Sequence, residues 1–370
     1  MITADLTDLE VEPLQDIGYS PEHLHAGTCV IVDDDVRRIS VFEDGVEILP
    51  ISDALQRYSW IRDLTGSELS PELHGYFIWV HEGVELTKPL QAFTLLATPG
   101  HAQSVHNVTV IDRNAKVEML SGTTVGPFVT EGRHSPIRET HVREGARCIS
   151  VSITHGSAGM TFESQARAHV GVDGLLAETS IALSGLRRYR SARTSVVGRN
   201  GTANDQTIVF APTGTRREID SLTRLVGAGA SAASVVRMVS DGGDIVNRAE
   251  LIGDAHAVRG YLGCGGLKLS DHGQLEFSPV LRAATADAQL SHNASIGMAG
   301  QDNLTYLMAT GMSEEDAREL IVQGFLDLDN RGIPRVFRDQ VDAMIAIAKS
   351  GAMQMASRQP RSPRQPHSLD

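Results

Sequence analysis

Short β-type runs that recur between residues 96 and 297 constrain the fold more than any other feature of the chain. Residues 108–119 contain a strand pattern, an acidic-polar turn, the triplet Asn-Ala-Lys and a second strand pattern. Residues 141–151 repeat this order, with Gly-Ala-Arg in the turn. Asparagine and glycine accept left-handed backbone angles, and the small alanine lets the next coil pack closely.

Weaker copies of the turn follow at residues 172–175, 252–255 and 286–289. Such self-similarity is typical of stacked repeats, in which each coil buries its apolar face only against its neighbours. Because long helical patterns are absent here, the sequence predicts a mainly β fold with a parallel β-helix core over residues 96–297. A β-sandwich or jelly roll stays open as the alternative.

Different patterns flank this core. Residues 1–95 predict an α/β cap region, with helical spacing over residues 52–64 and a strand over residues 75–80. Residues 298–352 predict a small helical domain, in which Ser313 is a suitable N-cap before three acidic residues. Pro334 suits the first turn of a last helix. Residues 353–370 predict a disordered tail.

Composition excludes several classes of function. The formal net charge is −13, which argues against nucleic-acid binding because that binding needs lysine and arginine to neutralise phosphates. The sequence contains no run of 18 apolar residues, so no membrane-spanning helix is predicted. The acidic N-terminus does not resemble a signal peptide. Three widely spaced cysteines indicate reduced thiols, as expected in the cytoplasm.

Cys264 is the first candidate metal ligand. It lies among Gly263, Gly265 and Gly266, and glycines let a cluster or another backbone approach closely. Thiolates are the preferred ligands of iron–sulfur clusters. One cysteine cannot hold a cluster alone, so the other ligands must be oxygen or nitrogen groups or come from a second subunit. A small buried core cysteine is the alternative interpretation.

His292 is the second candidate, because neutral imidazole is a common metal ligand. In a β-helix, coils stack about 4.8 Å apart, so residues one coil apart in sequence become neighbours in space. Cys264 and His292 are separated by such an interval, and His272 and Glu276 on the intervening coil complete the predicted metal site. A histidine with a purely structural role is the alternative.

Other features carry less chemistry. Cys29 and Cys148 are weaker candidates, and Cys148, in the middle of a predicted strand with apolar neighbours, is predicted to be a core residue. Residues 187–190 form a local basic patch, interpreted as a solvated face or as a contact for an anion or a partner. Residues 227–232 match a dinucleotide-binding loop only loosely and are predicted to be a turn between coils. Because no GxxxxGK[ST] motif is present, any ATP chemistry must belong to a partner.

The glycine-flanked cysteine, the later histidine and the helical run over residues 307–317 occur in an order that resembles the core domain of the SufB/SufD family, the scaffold proteins of iron–sulfur cluster assembly. The likeness covers residues 100–350 and includes residues 105–110 and 247–250. It implies a right-handed parallel β-helix core between helical regions. It also implies pairing through the β-helix, as a homodimer or as a SufB–SufD heterodimer.

The resemblance also implies a partner for the C-terminal helices. In this family each such region binds one SufC-type ABC ATPase, whose ATP-driven dimerisation would pull on the scaffold pair and expose the cluster site. ATP therefore enters only through the partner. The residues implied at or near this contact are Tyr306, Leu307, Gly311, Glu314, Glu315, Ile321 and Phe325.

Two departures separate this chain from SufB members. His292 matches the histidine of the SufD motif Ser-His-Gly-Ala, whereas Asn293 stands where SufB has a glutamate. Gly273 aligns with a SufB cysteine on the preceding coil, and Cys264 corresponds to another family cysteine. The chain therefore resembles SufD in part, or the single scaffold of a minimal system.

Three functions remain in competition. The leading one is a non-enzymatic scaffold that transiently holds a nascent cluster, of 4Fe–4S type, and is partnered by an ABC ATPase. The second is a structural SufD-like subunit without cluster ligands. The third is a polysaccharide-active β-helix enzyme, against which count the acidic N-terminus and an aromatic content of only 5% for stacking on sugars.

Overall fold

The computed structural model describes residues 5–20, 24–65, 74–298 and 301–326. The N-terminal elements are α1 (Asp8–Asp16), β1 (Gly27–Val32), β2 (Asp35–Val41), β3 (Val46–Pro50), α2 (Ile51–Arg57), α3 (Trp60–Thr65) and β4 (Tyr76–Val80).

A long series of strands follows and makes up most of the molecule. Its strands are β5 (Leu90–Leu96), β6 (Ala102–Ile111), β7 (Lys116–Val125), β8 (Glu131–Val142), β9 (Arg147–Thr154), β10 (Gly159–Val170), β11 (Leu175–Ala182), β12 (Arg188–Val197), β13 (Thr202–Pro212), β14 (Arg216–Leu225), β15 (Ser231–Asp241), β16 (Asp244–Gly253), β17 (Arg259–Lys268), β18 (Leu275–Ala283) and β19 (Gln289–Met298). Two helices close the described chain: α4 (Gln301–Ala309) and α5 (Glu314–Leu326).

Successive strands alternate between two sheets. Sheet A has the order β19-β17-β15-β13-β11-β9-β7-β5-β1-β2, and sheet B has the order β18-β16-β14-β12-β10-β8-β6-β4-β3. Each turn of the chain therefore adds one strand to each sheet, and strands one turn apart pair in parallel. The result is a parallel β-solenoid of about eight turns, which confirms the predicted β-helix architecture over the sandwich.

The register fixes the length of one turn. Leu175 lies opposite Arg147 on one side and opposite Thr202 on the other, so a turn takes about 28 residues. The turn lengthens to 30 residues at the last coil, where Arg259 lies opposite Gln289. Residues one turn apart therefore stack at the strand separation of about 4.8 Å.

The predicted cap region contributes strands to both sheets. β1 pairs in parallel with β5, and β4 pairs in parallel with β6, so the sheets run across the boundary predicted near residue 95. Antiparallel pairs β1–β2 and β3–β4 form this end of the solenoid. The helix predicted over residues 52–64 is present as α2 and α3, and the predicted strand is β4.

The repeated turns use left-handed residues, as the sequence predicts. Asn114, Gly145, Asp173, Asn200, Gly229 and Ala257 have φ between 53° and 72°. Each donates its backbone N–H to the next coil or to a side chain there; for example, Asn114 N–H donates to the Glu144 carbonyl oxygen at 2.9 Å. The residue after the turn is small and buried in the first copies, as at Ala115 and Ala146. Residues 227–230 form such a turn, and residues 231–232 begin β15.

Apolar side chains fill the space between the sheets and cover part of each outer face. One cluster between the sheets joins Leu176 of sheet A to Val170 of sheet B. On the outer face of sheet A, Leu14 of α1 and Val322 of α5 pack against strand residues. On sheet B, Leu55 of α2 does the same. No helix of the described part of the chain is long and apolar enough to cross a membrane.

A buried carboxylate lies on the outer face of sheet B, beside the Val108 side chain that packs against α2. Glu139 is 2% exposed, and its Oε1 atom lies 2.9 Å from His106 Nε2 and 3.4 Å from Arg167 Nη1. Burial raises the pKa of this carboxyl, but the hydrogen bond with His106 and the His141 imidazole 3.6 Å from Oε2 outweigh burial and lower it to about 2.

The lowered pKa of Glu139 predicts an acid-sensitive contribution to stability. The contribution is complete above the unfolded-state pKa of about 4.3 and is lost as pH falls toward 2. We expect Glu139→Gln to lower the free energy of unfolding at pH 7 by about 2 to 3 kcal/mol. Urea unfolding at several pH values measures this. The wild-type and variant curves should approach each other below pH ~3, and a difference that is independent of pH would contradict the prediction.

Ala257 predicts a stabilising substitution. It has φ +55° and is exposed, whereas the equivalent positions of other turns carry Gly, Asn or Asp. A left-handed conformation costs a residue with a Cβ atom about 1 kcal/mol, so Ala257→Gly should raise the free energy of unfolding by up to about 1 kcal/mol. Ala230→Gly, a buried position outside the left-handed region, is the control and should lower it. Equal effects in urea unfolding would contradict this explanation.

Candidate metal centre

Two adjacent strands of sheet A bring the first two candidate ligands together. Cys264 lies on β17 opposite Ala294, and His292 lies on β19 opposite Leu262. The two candidates are therefore diagonal neighbours with side chains on the same face of the sheet. Strands about 4.8 Å apart and a two-residue offset of about 6.6 Å put their Cα atoms about 8 Å apart, within reach of one shared metal ion.

This face points into the solenoid. A Cβ atom added to Gly266 would lie 3.0 Å from Phe277 and 3.1 Å from Leu275 of sheet B. Cys264, two residues earlier on the strand, is 5% exposed. Its Sγ–H donates to Asn247 Oδ1 of sheet B at 3.5 Å. Burial raises the pKa of the Cys264 thiol, so the thiol form is favoured in the isolated chain.

The His292 side chain also points toward the inside of the solenoid, but unlike Cys264 it is not buried. β19 is the last strand of sheet A in the described part of the chain, and no further described coil covers its inward side. The histidine is consequently exposed, as are Ile296 and Met298, which are 52% and 54% exposed. The two predicted ligands are thus a buried thiol and an exposed imidazole at the end of the solenoid.

The other two predicted ligands lie elsewhere. Glu276 is on β18 between Leu275 and Phe277, both of which point inward, so the carboxylate lies on the outer face of sheet B. There it accepts a hydrogen bond from Ser278 at 3.2 Å. His272 is exposed in the loop before β18. Within the described ranges, no group of three or more His, Cys, Asp and Glu residues can hold a metal ion.

A known protein family matches most of the solenoid. Residues 94–325 match the family described as SUF system FeS cluster assembly, SufBD core domain. The chain belongs to the SufBD family.

Similar proteins span most of this SufBD chain. An iron-sulfur cluster assembly SufBD family protein of Archaeoglobus fulgidus is 29% identical over 92% of the chain and 95% of its own length. A SufBD family protein of Methanothermobacter thermautotrophicus strain Delta H is 27% identical over 92% of the chain and 88% of its own length. The iron-sulfur cluster assembly protein SufB of Bacillus subtilis is 22% identical over 75% of the chain and 61% of its own length.

The C-terminal helices of this SufBD protein divide the residues predicted to contact an ATPase into two sets. Tyr306, on α4, is 71% exposed. Gly311 lies exposed between the helices, and Glu314 is exposed at the start of α5, where it accepts a hydrogen bond from Arg318 at 3.1 Å. Leu307 is partly buried on α4, and Glu315 lies in the first turn of α5.

The second set faces the solenoid. Ile321 and Phe325 pack against the cluster on the outer face of sheet A. Ser313 caps α5 as predicted, since the Asp316 N–H donates to its Oγ atom at 3.0 Å. The last helix predicted from Pro334 and the predicted tail lie outside the described residues.

Several residues that shape the site were not identified from the sequence. Asn247 contacts the candidate thiol, while Arg237 and Arg318 hold α5 on sheet A. Asn247 and Cys264 are 17 residues apart on opposite sheets, so the one-turn spacing does not indicate their contact, and only the register shows that both face inward. Cys29 and Cys148 are free thiols in the core, which confirms the prediction made for Cys148.

The basic patch at residues 187–190 is engaged in ion pairs and hydrogen bonds on the outer face of sheet B. Arg188 pairs with Glu218 at 3.1 Å, and Arg190 pairs with Asp220 at 3.7 Å. Arg187 donates to Thr161 at 3.3 Å. This pattern fits the interpretation of the patch as a solvated face.

Proposed function

We propose that this SufBD protein is a non-enzymatic scaffold that holds a nascent iron–sulfur cluster at its terminal coil, between two paired chains. The observation that carries the proposal is the placement of Cys264 and His292 as diagonal neighbours on the inward face of β17 and β19. A soft thiolate and an imidazole beside an open space suit a cluster that must be built and then released. The cluster is the cargo, and we propose a 4Fe–4S type.

The terminal coil supports pairing of two chains. β18 and β19 are the last strands of their sheets, so each has one edge without a partner strand in the described chain. Unpaired edges are templates for pairing with another chain. The same coil exposes Val280, Leu281, Ile296 and Met298, each between 38% and 54% exposed. A second copy, or a SufB- or SufD-type partner, would cover this apolar end and extend both sheets.

Pairing also supplies the missing ligands. A single described chain offers Cys264 and His292 but no third group beside them. A second chain abutting the open end would bring its own oxygen, nitrogen or sulfur groups to the same place. His272 is exposed in the loop before β18 and can serve across such an interface. Metal binding must displace the proton of the Cys264 thiol, whose pKa is raised by burial.

We propose that α4 and α5 bind a SufC-type ABC ATPase through their exposed side. Tyr306, Met308 and Leu320 are large apolar side chains that are 71%, 43% and 44% exposed there. Exposed aromatic and aliphatic residues on a small helical unit are typical of a protein–protein contact. ATP hydrolysis then belongs to the partner, and the reaction takes place in the cytoplasm, where the thiols stay reduced.

A structural SufD-like role is the second candidate. It is favoured by the position of Glu276 on the outer face of sheet B, away from Cys264 and His292. In this case the chain would pair with a cluster-binding subunit and carry the ATPase contact without ligating iron itself. Iron binding by the purified protein separates the two functions.

Anaerobic reconstitution with iron and sulfide tests the scaffold directly. We expect a cluster detectable by visible absorption and Mössbauer spectroscopy in the wild type, and loss of most bound iron in Cys264→Ser and in His292→Ala, because each variant removes one of few ligands. Cys148→Ala is the matched control, since this thiol lies in the core away from the terminal coil. Iron retained equally by all variants would contradict the assignment.

Self-association tests the paired arrangement. Ile296→Asp places a charge on the apolar end of the solenoid and should weaken pairing by about tenfold or more, because an unpaired charge would be buried in the interface. Val226→Asp, at a position 44% exposed on a turn between β14 and β15, is the matched control and should leave pairing unchanged. Analytical ultracentrifugation over a range of concentrations measures both. A dimer insensitive to Ile296→Asp would contradict pairing through this coil.

A further inference from the structure

We propose that α5 holds β17 from outside the solenoid, with Phe325 and Arg237 as positioning residues that control access to the Cys264 thiol on the other side of the strand. This proposal rests on the proposed function only for the role that access to Cys264 has in cluster assembly. The contacts that carry it belong to this chain alone, and their effect can be measured without iron.

The strand around Cys264 is intrinsically weak. Gly263, Gly265 and Gly266 surround the cysteine, and glycine inside a strand loses more conformational entropy on folding and packs no side chain. β17 also lies next to the last strand of sheet A, so only β19 separates it from the open end. A strand of this composition needs support from neighbouring groups to keep one conformation.

Aromatic rings supply that support on the outer face. A Cβ atom added to Gly265 would lie 3.3 Å from the Phe325 ring, and one added to Gly263 would lie 2.9 Å from the Tyr261 ring. Each ring therefore covers a glycine that flanks Cys264. An aromatic side chain packed over a strand glycine restores the contacts that the glycine lacks. The Tyr261 ring comes from β17 itself, whereas the Phe325 ring comes from α5.

Two arginines hold α5 in this position. Arg237 lies directly opposite Gly265 on the neighbouring strand β15. Its Nη1 donates to the Phe325 carbonyl oxygen at 2.9 Å, and its guanidinium carbon lies 5.9 Å from the centre of the Phe325 ring. Arg318 of α5 donates to the Leu269 carbonyl oxygen at 2.9 Å, just beyond the end of β17.

Apolar packing fills the interval between these anchors. Leu267 is the next outward residue of β17 and packs in one cluster with Val322 and Leu326 of α5. The helix thus contacts three successive outward positions that follow Cys264 along the chain, at Gly265, Leu267 and Leu269. These contacts connect α5 to the strand that carries Cys264. Loosening them would let β17 and β19 move away from sheet B and uncover the thiol.

Thiol labelling of the full-length apo protein tests this role. Iodoacetamide pulses under anaerobic conditions, read by peptide mass spectrometry, give separate rates for Cys264, Cys29 and Cys148. Loss of one packed aromatic contact should make Cys264 react roughly 3- to 10-fold faster in Phe325→Ala. Arg237→Ala should act in the same direction.

Internal and matched controls separate a local effect from unfolding. Cys29 and Cys148 are 0% and 1% exposed, and their labelling should stay at the wild-type rate. Val226→Ala removes an exposed side chain from the turn between β14 and β15, away from α5, and should leave the labelling rate of Cys264 unchanged. Phe325→Leu, a milder change, should give an intermediate rate in a folded protein.

The labelling rates of the three cysteines support or overturn the proposal. Faster labelling confined to Cys264 supports the proposal. An unchanged Cys264 rate in Phe325→Ala and Arg237→Ala, or equal acceleration of all three cysteines in Phe325→Leu, would overturn it. If Cys264 responds but no variant or wild-type protein binds a cluster, the scaffold function fails while the positioning role of α5 stands.

Discussion

Parallel stacking of successive coils in register is the constraint on which the rest of this structure depends. Every turn of about 28 residues must bring the backbone back into register with the previous coil, because the hydrogen bonds of both sheets join equivalent positions of adjacent coils. A residue in a given register position therefore acquires neighbours one turn earlier and one turn later. This rule brings Cys264 beside the strand of His292 and Arg237 beside Gly265.

The two ends of the described solenoid are different, and the proposed cluster site lies at the C-terminal one. At the N-terminal end, antiparallel strand pairs and helices α1 to α3 accompany the first coils. At the other end, the last coil leaves inward-facing residues such as Ile296 exposed. A stacked repeat normally requires a cap at each end. The proposed partner chain provides that cap, and the proposed cluster site lies beneath it.

The sequence predicted the architecture because turn chemistry is local. Left-handed positions such as Asn114 and Gly145, each followed by a small residue, mark the corners without any knowledge of tertiary structure. The interval between Cys264 and His292 is two residues short of the 30-residue turn at this end, so the pair is diagonal, and the near match made its proximity predictable as well. Glu276 could not be placed in the same way, since strand residues alternate between faces and a one-residue offset reverses the direction of a side chain.

The C-terminal helix shows a second limit of sequence reasoning. Ile321 and Phe325 lie four residues apart, a spacing that indicates one apolar face of a helix, but this pattern does not identify the surface that buries the face. In this structure the surface is sheet A of the same chain, reached through Arg237 and Arg318. The prediction that these residues contact an ATPase remains a prediction, and the exposed side of α4 is the more accessible part of that helical region.

The location of iron tests the central claim most directly. A crystal structure of the anaerobically reconstituted protein, with anomalous difference density measured at the iron absorption edge, would show where the metal binds. The account predicts an iron peak at the open end of the solenoid, between Cys264 and His292 and in contact with a second chain. An iron peak elsewhere, for example at Glu139 and His106 on the outer face of sheet B, would contradict it.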